Sequence, residues 1–151
     1  MVIAGEGPLE LELKKLVIAE NFSNIEFVGR ITDAEKIACF DLCKAVVFPS
    51  FERSEAFGVT LLEGSMRSKP LITADIGSGT SYVNVHMDTG LVVEPNDCNS
   101  LLEALLKLDS NDELVEVLGA GARRRYEKLF TSSVMARKYR DHYQELIEMA
   151  Q

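Results

Sequence analysis

Apolar residues fall along this chain in short unbroken runs, separated by longer stretches in which they recur every three or four positions. Met1 to Ala4 is an apolar run stopped by Gly5-Glu6-Gly7-Pro8. After it Leu9, Leu13, Leu16 and Val17 return at helical spacing, with Glu10 four residues before Lys14. That pattern predicts a strand, a tight glycine loop and an amphipathic helix. Ile25 to Gly29 is a second run, and Thr32-Asp33-Ala34-Glu35 spells a capping box ahead of a helix carrying Ile37, Phe40 and Cys43. Ala45-Val46-Val47-Phe48 reads as a buried strand ended by Pro49-Ser50, and a loop through Glu55 leads to a helix holding Leu61, Leu62 and Met66.

Lys69-Pro70 stops that helix and Leu71-Ile72-Thr73-Ala74 is the next strand. A Gly, Ser and Thr loop from Gly77 to Ser81 follows, then a helical or irregular stretch, then the short run Gly90 to Val93. The last third is helical. Leu101, Leu102, Leu105 and Leu106 mark one helix, Ser110-Asn111-Asp112-Glu113 caps another, and a third runs from about Thr131 to Met149. Buried strands alternating with helices predict parallel βαβ units: an α/β, Rossmann-like, doubly wound sheet with helices on both faces, in one domain over residues 1–151. Ligands on such sheets bind beyond the carboxyl ends of the strands. The loops to watch are therefore Gly5-Glu6-Gly7, Gly29-Arg30, Ser50 to Gly58, and Ile76 to Thr80.

Composition narrows the function. A formal net charge of −8 removes the basic face that phosphate neutralisation on a nucleic acid needs. No run approaches the roughly 18 apolar residues of a membrane span, and the N-terminus lacks a signal peptide's basic region, so the chain is expected to be cytoplasmic. Cys39, Cys43 and Cys98 are odd in number and read as free structural thiols. His86 and His142 stand apart from any metal-ligand spacing, and neither is assigned a catalytic role.

The segment from Phe48 to Glu63 carries the chemistry. It places Glu55 in a loop at a strand's carboxyl end, a glycine where backbone must approach a ligand, and Glu63 just over one turn into the following helix. A helix beginning near Gly58 leaves the N–H groups of Val59 and Thr60 as an anion site aided by the helix dipole. Carboxylates beside it make good acceptors for vicinal sugar hydroxyls. Together they point to a sugar nucleotide, against the plainer reading of two surface acids.

Glu55 and Glu63 form an E-x7-E spelling that resembles the signature of family-4 retaining glycosyltransferases, with Phe48-Pro49-Ser50 before it and Leu61-Leu62-Glu63 closing it. The likeness extends along the chain: Met1 to Pro8 resembles the family's strand and G-x-G-P loop, and Phe27-Val28-Gly29 its F-x-G strand. Lys69 to Ile72 resembles its G-x-P-V-I strand and Thr89 to Val93 its T-G-L-L-V segment, with Asn96-Asp97 before the usual helix. The resemblance implies the C-terminal, donor-binding half of a two-Rossmann (GT-B) enzyme. Glu55 would contact donor-sugar hydroxyls near the reacting carbon and Glu63 the ribose. The N–H groups of Phe57, Gly58 and Val59 would hold the sugar, and those of Val59 and Thr60 the diphosphate. The base would lie against Val28, Gly29 and Arg30, and Gly5 and Gly7 would line the cleft mouth.

The implied reaction moves a hexose from a nucleotide diphosphate to a glycan or lipid-linked acceptor with retention, without a bound metal or other cofactor. The Gly77 to Ser81 spelling resembles surface-polysaccharide mannosyltransferases, with Thr80 as a possible donor contact beside the reading of a flexible turn. Relatives begin with an acceptor-binding Rossmann domain and then a strand ending in Gly-Arg with a following Lys. This chain is expected to lack those parts and the sheet's usual first strand. It is therefore expected to bind donor weakly, to turn over little alone, to meet a membrane only through the absent half, and to be open to pairing as a homodimer. A non-catalytic partner of the same fold is one alternative. A flavodoxin-like or receiver module is another, though the acidic pair and late lysine of a receiver are not well placed here. Arg123-Arg124-Arg125 reads as a solvated helix face, and Tyr126, Phe130, Tyr139 and Tyr143 as packing for the terminal helices.

Overall fold

The computed structural model describes residues 1–149; Ala150 and Gln151, the end of the expected 1–151 domain, lie outside the described residues. Contacts divide the chain into two compact units, Met1–Cys39 and Phe40 onward. The first holds β1 (Val2–Ala4), α1 (Glu10–Ala19), β2 (Glu26–Gly29) and most of α2 (Asp33–Leu42). β1 and β2 pair in parallel, Ile3 opposite Phe27, with a slip in register before Ala4 meets Gly29. The Gly5 N–H donates to the Gly29 carbonyl at 2.8 Å, tying the first glycine loop to the end of β2. α1 forms where its spacing predicts, and Lys14 pairs with Glu10 at 2.6 Å. Its apolar stripe, however, finds no cover: no residue of α1 is buried, and Ile18 is 75% exposed. A two-stranded ribbon offers too little surface to bury a helix of this length.

The expected capping box starts α2. Thr32 donates its N–H to Glu35 Oε2 at 2.7 Å, and the Glu35 N–H returns to Thr32 Oγ1 at 3.3 Å.

The second unit is built on β3 (Val46–Phe48), β4 (Leu71–Ala74) and β5 (Gly90–Val93), parallel in the order β3-β4-β5. Around them lie α3 (Val59–Met66), α4 (Gly79–Val83), α5 (Cys98–Asp109), α6 (Asp112–Leu129) and α7 (Ser132–Met149). All four residues of β4 are buried, and their alternation sorts the core into two. Ile72 and Ala74 face Leu91 and Val93 of β5 and pack with Ala104 and Leu108 of α5 and Leu118 of α6. Leu71 packs on the other side with Val46, Phe40, Leu61 of α3 and Val83 of α4. Helices thus cover both faces, as the sequence pattern predicts. The parallel strands stand in two sheets where the pattern predicts one, because periodicity marks a strand without naming its neighbour.

A buried polar network links β4 and β5 to the end of α4. The Asn84 side-chain amide donates to Thr73 Oγ1 at 2.9 Å and the Leu91 carbonyl at 3.0 Å, while its carbonyl accepts from Thr89 Oγ1 at 2.9 Å. Asp97 caps α5 and Asn111 caps α6 through their side-chain oxygens.

Two expectations for the C-terminal helices change. Arg123 bonds Glu127 and the Met66 carbonyl, and Arg125 bonds the Tyr82 carbonyl at 2.6 Å, so of the three arginines only Arg124 stands exposed. Tyr139 and Tyr143 are 59% and 60% exposed: their spacing places them on one face of α7, but only Val134 of that helix is buried. Phe130 does pack, edge-on to Phe57 and Tyr82. Cys39, Cys43 and Cys98 are unbridged.

α6 passes close to backbone at its glycines: a Cβ at Gly121 would run into the Asp88 carbonyl, whereas a Cβ at Gly7 meets nothing within 4 Å. Alanine at Gly121 gains about 1 kcal/mol of helix propensity but must displace a main-chain oxygen, and the collision wins. Gly121→Ala is expected to lower stability by about 1–3 kcal/mol in urea unfolding, with Gly7→Ala close to the parent. The Glu35 carboxyl is held below its ordinary value, first by the Thr32 N–H and then by the Thr32 hydroxyl. A folded pKa below the unfolded one gives a contribution complete above the unfolded value and lost as pH falls through the folded value. Glu35→Gln should therefore melt below the parent at neutral pH, with the gap closing as pH drops below the ordinary Glu range of about 4.3.

Candidate functional site

The loop between β3 and α3 lies at the carboxyl end of the sheet and is shaped by Gly58. Gly58 sits in left-handed backbone, φ 76° and ψ 68°, at the N-terminus of α3. A Cβ there would also stand 2.9 Å from Leu61 Cδ1 and 3.3 Å from Phe48 Cε1, so both torsion and space call for glycine. No side chain caps α3. The helix start thus presents its first-turn N–H groups, those of Val59 and Thr60, without a capping oxygen from a neighbouring side chain.

Burial fixes how α3 is turned. Leu61, Gly64 and Ser65 are its buried face, with Leu61 fully enclosed. Val59 lies 66% exposed, and Glu63, one turn further on the same side as Val59 and Thr60, is half-buried and engaged in contacts of its own. Glu63 therefore follows the amide cluster along one face of the helix.

Glu55 reaches the same amides from the other direction. Its Oε1 accepts from the Gly58 N–H at 3.0 Å and, more weakly, from the Phe57 N–H at 3.4 Å. Two of the N–H groups expected to meet a donor sugar thus face a carboxylate of the protein itself. Beside them an open surface depression of about 450 Å³ is lined by Pro49, Ser50, Phe51, Glu52, Ser54 and Glu55. Ser50, Phe51, Glu52 and Ser54 fall within the loop from Ser50 to Gly58 that the sequence marks, although it assigns them no individual role there.

The loop after β4 is ordered by its own hydroxyls. Thr80 is buried, with Oγ1 3.1 Å from Ser78 Oγ, and Ser78 caps α4. Ser81 Oγ donates to Asp75 at 3.1 Å. In the first unit, Gly5 and Gly7 are exposed, Gly29 takes φ 65° at the end of β2, and Val28 and Arg30 on either side of it are exposed. Among the described residues no three His, Cys, Asp or Glu side chains gather as a metal site does. His86 accepts the Val92 N–H at 3.0 Å through Nδ1, a structural contact. No helix of the described residues is long and apolar enough to cross a membrane.

Comparison with known proteins bears on the family and the fold. The chain is 44% identical over 148 residues to O-antigen chain mannosyltransferase C of Escherichia coli, covering 98% of this chain and 40% of that protein. It is 46% identical over 132 residues to D-rhamnosyltransferase WbpZ of Pseudomonas aeruginosa, covering 87% of this chain and 35% of that one. The chain thus spans well under half the length of these curated relatives. Its fold matches HepE of Anabaena, solved in complex with UDP-glucose, with a TM-score of 0.83 at 17% identity over 95% of this chain and 40% of that one. The helix-flanked parallel strands are those of the C-terminal half of GT-B glycosyltransferases. Residues 1–125 match the family model of glycosyl transferases group 1, and the chain belongs to that family.

Proposed function

We propose that this chain is the donor-binding half of a retaining glycosyltransferase, moving a hexose from a nucleotide diphosphate to a glycan or lipid-linked acceptor in the making of surface polysaccharide. The observation that carries the reading is the Glu55–Gly58 turn: a carboxylate beside an uncapped helix start, with Glu63 one turn along the same helix. The named activities of the two bacterial relatives and the UDP-glucose held by HepE support it.

As the glycosidic bond breaks, negative charge grows on the leaving diphosphate. Fixed N–H donors at Val59 and Thr60 stabilise that charge at about 3 kcal/mol per donor in a dry site, which asks no metal of the protein. Glu55 exchanges its bonds to Phe57 and Gly58 for bonds to sugar hydroxyls, acting as an acceptor and positioner. Glu63 takes the ribose hydroxyls. Such donors are cytoplasmic metabolites, and the reading assigns the chain to that compartment.

In this reading a second body holds the acceptor. β1 and β2 pair only with each other, and β3 and β5 each pair only with β4, so among the described residues each sheet keeps two edges open to a further strand. An acceptor-binding half or a second copy of the chain supplies such a strand. Turnover by this chain by itself is accordingly weak or absent.

Calorimetric titration with UDP-glucose and GDP-mannose tests donor binding. Glu63→Ala is expected to weaken the donor that binds by about tenfold to hundredfold, the value of a hydrogen bond to a charged group. Unchanged affinity would remove Glu63 from the site. Co-expression with the acceptor-binding half of a related enzyme is expected to raise sugar transfer above that of the chain alone. Equal transfer by the isolated chain would show that it needs no second half.

A further inference from the structure

Gly79 stands at the start of α4, and its N–H donates to the Ala56 carbonyl at 2.9 Å. A Cβ at this position would lie 2.5 Å from that oxygen, 2.8 Å from Phe57 Cδ2 and 3.2 Å from Phe57 Cα. Gly79 is not among the residues with positive φ, so torsion does not account for the glycine. Close approach does: the backbone of residues 56 and 57 rests directly on it.

The same two residues are held from a second direction. The Phe57 ring meets Phe130 edge-on, with centroids 6.0 Å apart, and Phe130 meets Tyr82 in the same way at 5.7 Å. The Arg125 guanidinium lies 5.3 Å from the Tyr82 ring centre and bonds the Tyr82 carbonyl. Ala56 and Phe57 are the links between Glu55 and Gly58. Whatever fixes them fixes the distance between the Glu55 carboxylate and the amides it faces.

From this geometry we propose that Gly79 is a positioning residue: the missing side chain lets the Glu55–Gly58 turn seat against α4, with Phe130 as its lateral clamp. The effect on the turn stands on the contacts alone, while the effect on donor binding rests on the reading given under Proposed function. A methyl group at 79 cannot move Ala56 or Phe57 without opening the turn. Misplacement by about 1 Å is enough to cost a well-oriented site up to about a hundredfold.

The test is Gly79→Ala in the full chain, with Phe130→Leu beside it. Without ligand, the Phe57 and Gly58 amide resonances are expected to move in both variants, while the Asn84 side-chain amide keeps its position. UDP-glucose or GDP-mannose, whichever the parent binds, is expected to lose about tenfold in affinity, while the matching free UDP or GDP is retained. Unmoved Phe57 and Gly58 resonances overturn the proposal, as does an equal loss of both ligands in step with lost folded protein. Should Gly79→Ala fail to fold, hydrogen exchange on the parent decides: the Gly79 amide is expected to be protected together with Phe57 and Gly58, and rapid exchange at Gly79 overturns the assignment. A parent that binds none of these nucleotides defeats the donor-site reading and leaves the resonance result to judge Gly79.

Discussion

β4 is the constraint on which the second unit depends. Its four residues are all buried, so both faces of the strand must be covered at once, and alternate side chains commit the chain to a core on either side. One core takes α5 and α6; the other takes the end of α2 with α3 and α4. Enclosing Leu61 against Leu71 and Val46 fixes the rotation of α3, and that rotation leaves Val59 outward and Glu63 half-buried beside it. The chemical face of α3 is thus a by-product of burying its apolar one.

Two glycines near Glu55 serve this arrangement for different reasons. Gly58 needs a left-handed torsion and also has no room for a Cβ; Gly79 needs only the room. Between them the turn is short enough for a glutamate to cap amides two and three residues ahead of it, much as an acidic residue caps a helix. A protein carboxylate in contact with N–H donors keeps them satisfied when no ligand is present, so the loop holds its shape without stranding buried polar groups. The arginines of α6 play a comparable structural part, since Arg123 and Arg125 end on main-chain carbonyls at Met66 and Tyr82.

The two units differ in how completely they are packed. Around β3, β4 and β5 the helices close both faces, whereas α1 in the first unit keeps its leucines exposed over a two-stranded ribbon; among the described residues of the second unit only α7 is left largely uncovered, with Tyr139 and Tyr143 exposed.

Local order was legible from the residues. Short apolar runs marked each strand, Thr32 and Glu35 marked the start of α2, and the eight-residue interval between Glu55 and Glu63 set one carboxylate in a loop and the other one turn into a helix. Backbone periodicity and capping chemistry decide these features within a few residues of each other. Tertiary structure alone decided the rest: the division of strands into two sheets, the exposure of α1 and α7, and the seating of Ala56 on Gly79. Each depends on which distant surface arrives to cover a group or to collide with it. A linear pattern records what a residue needs, but not which partner meets that need.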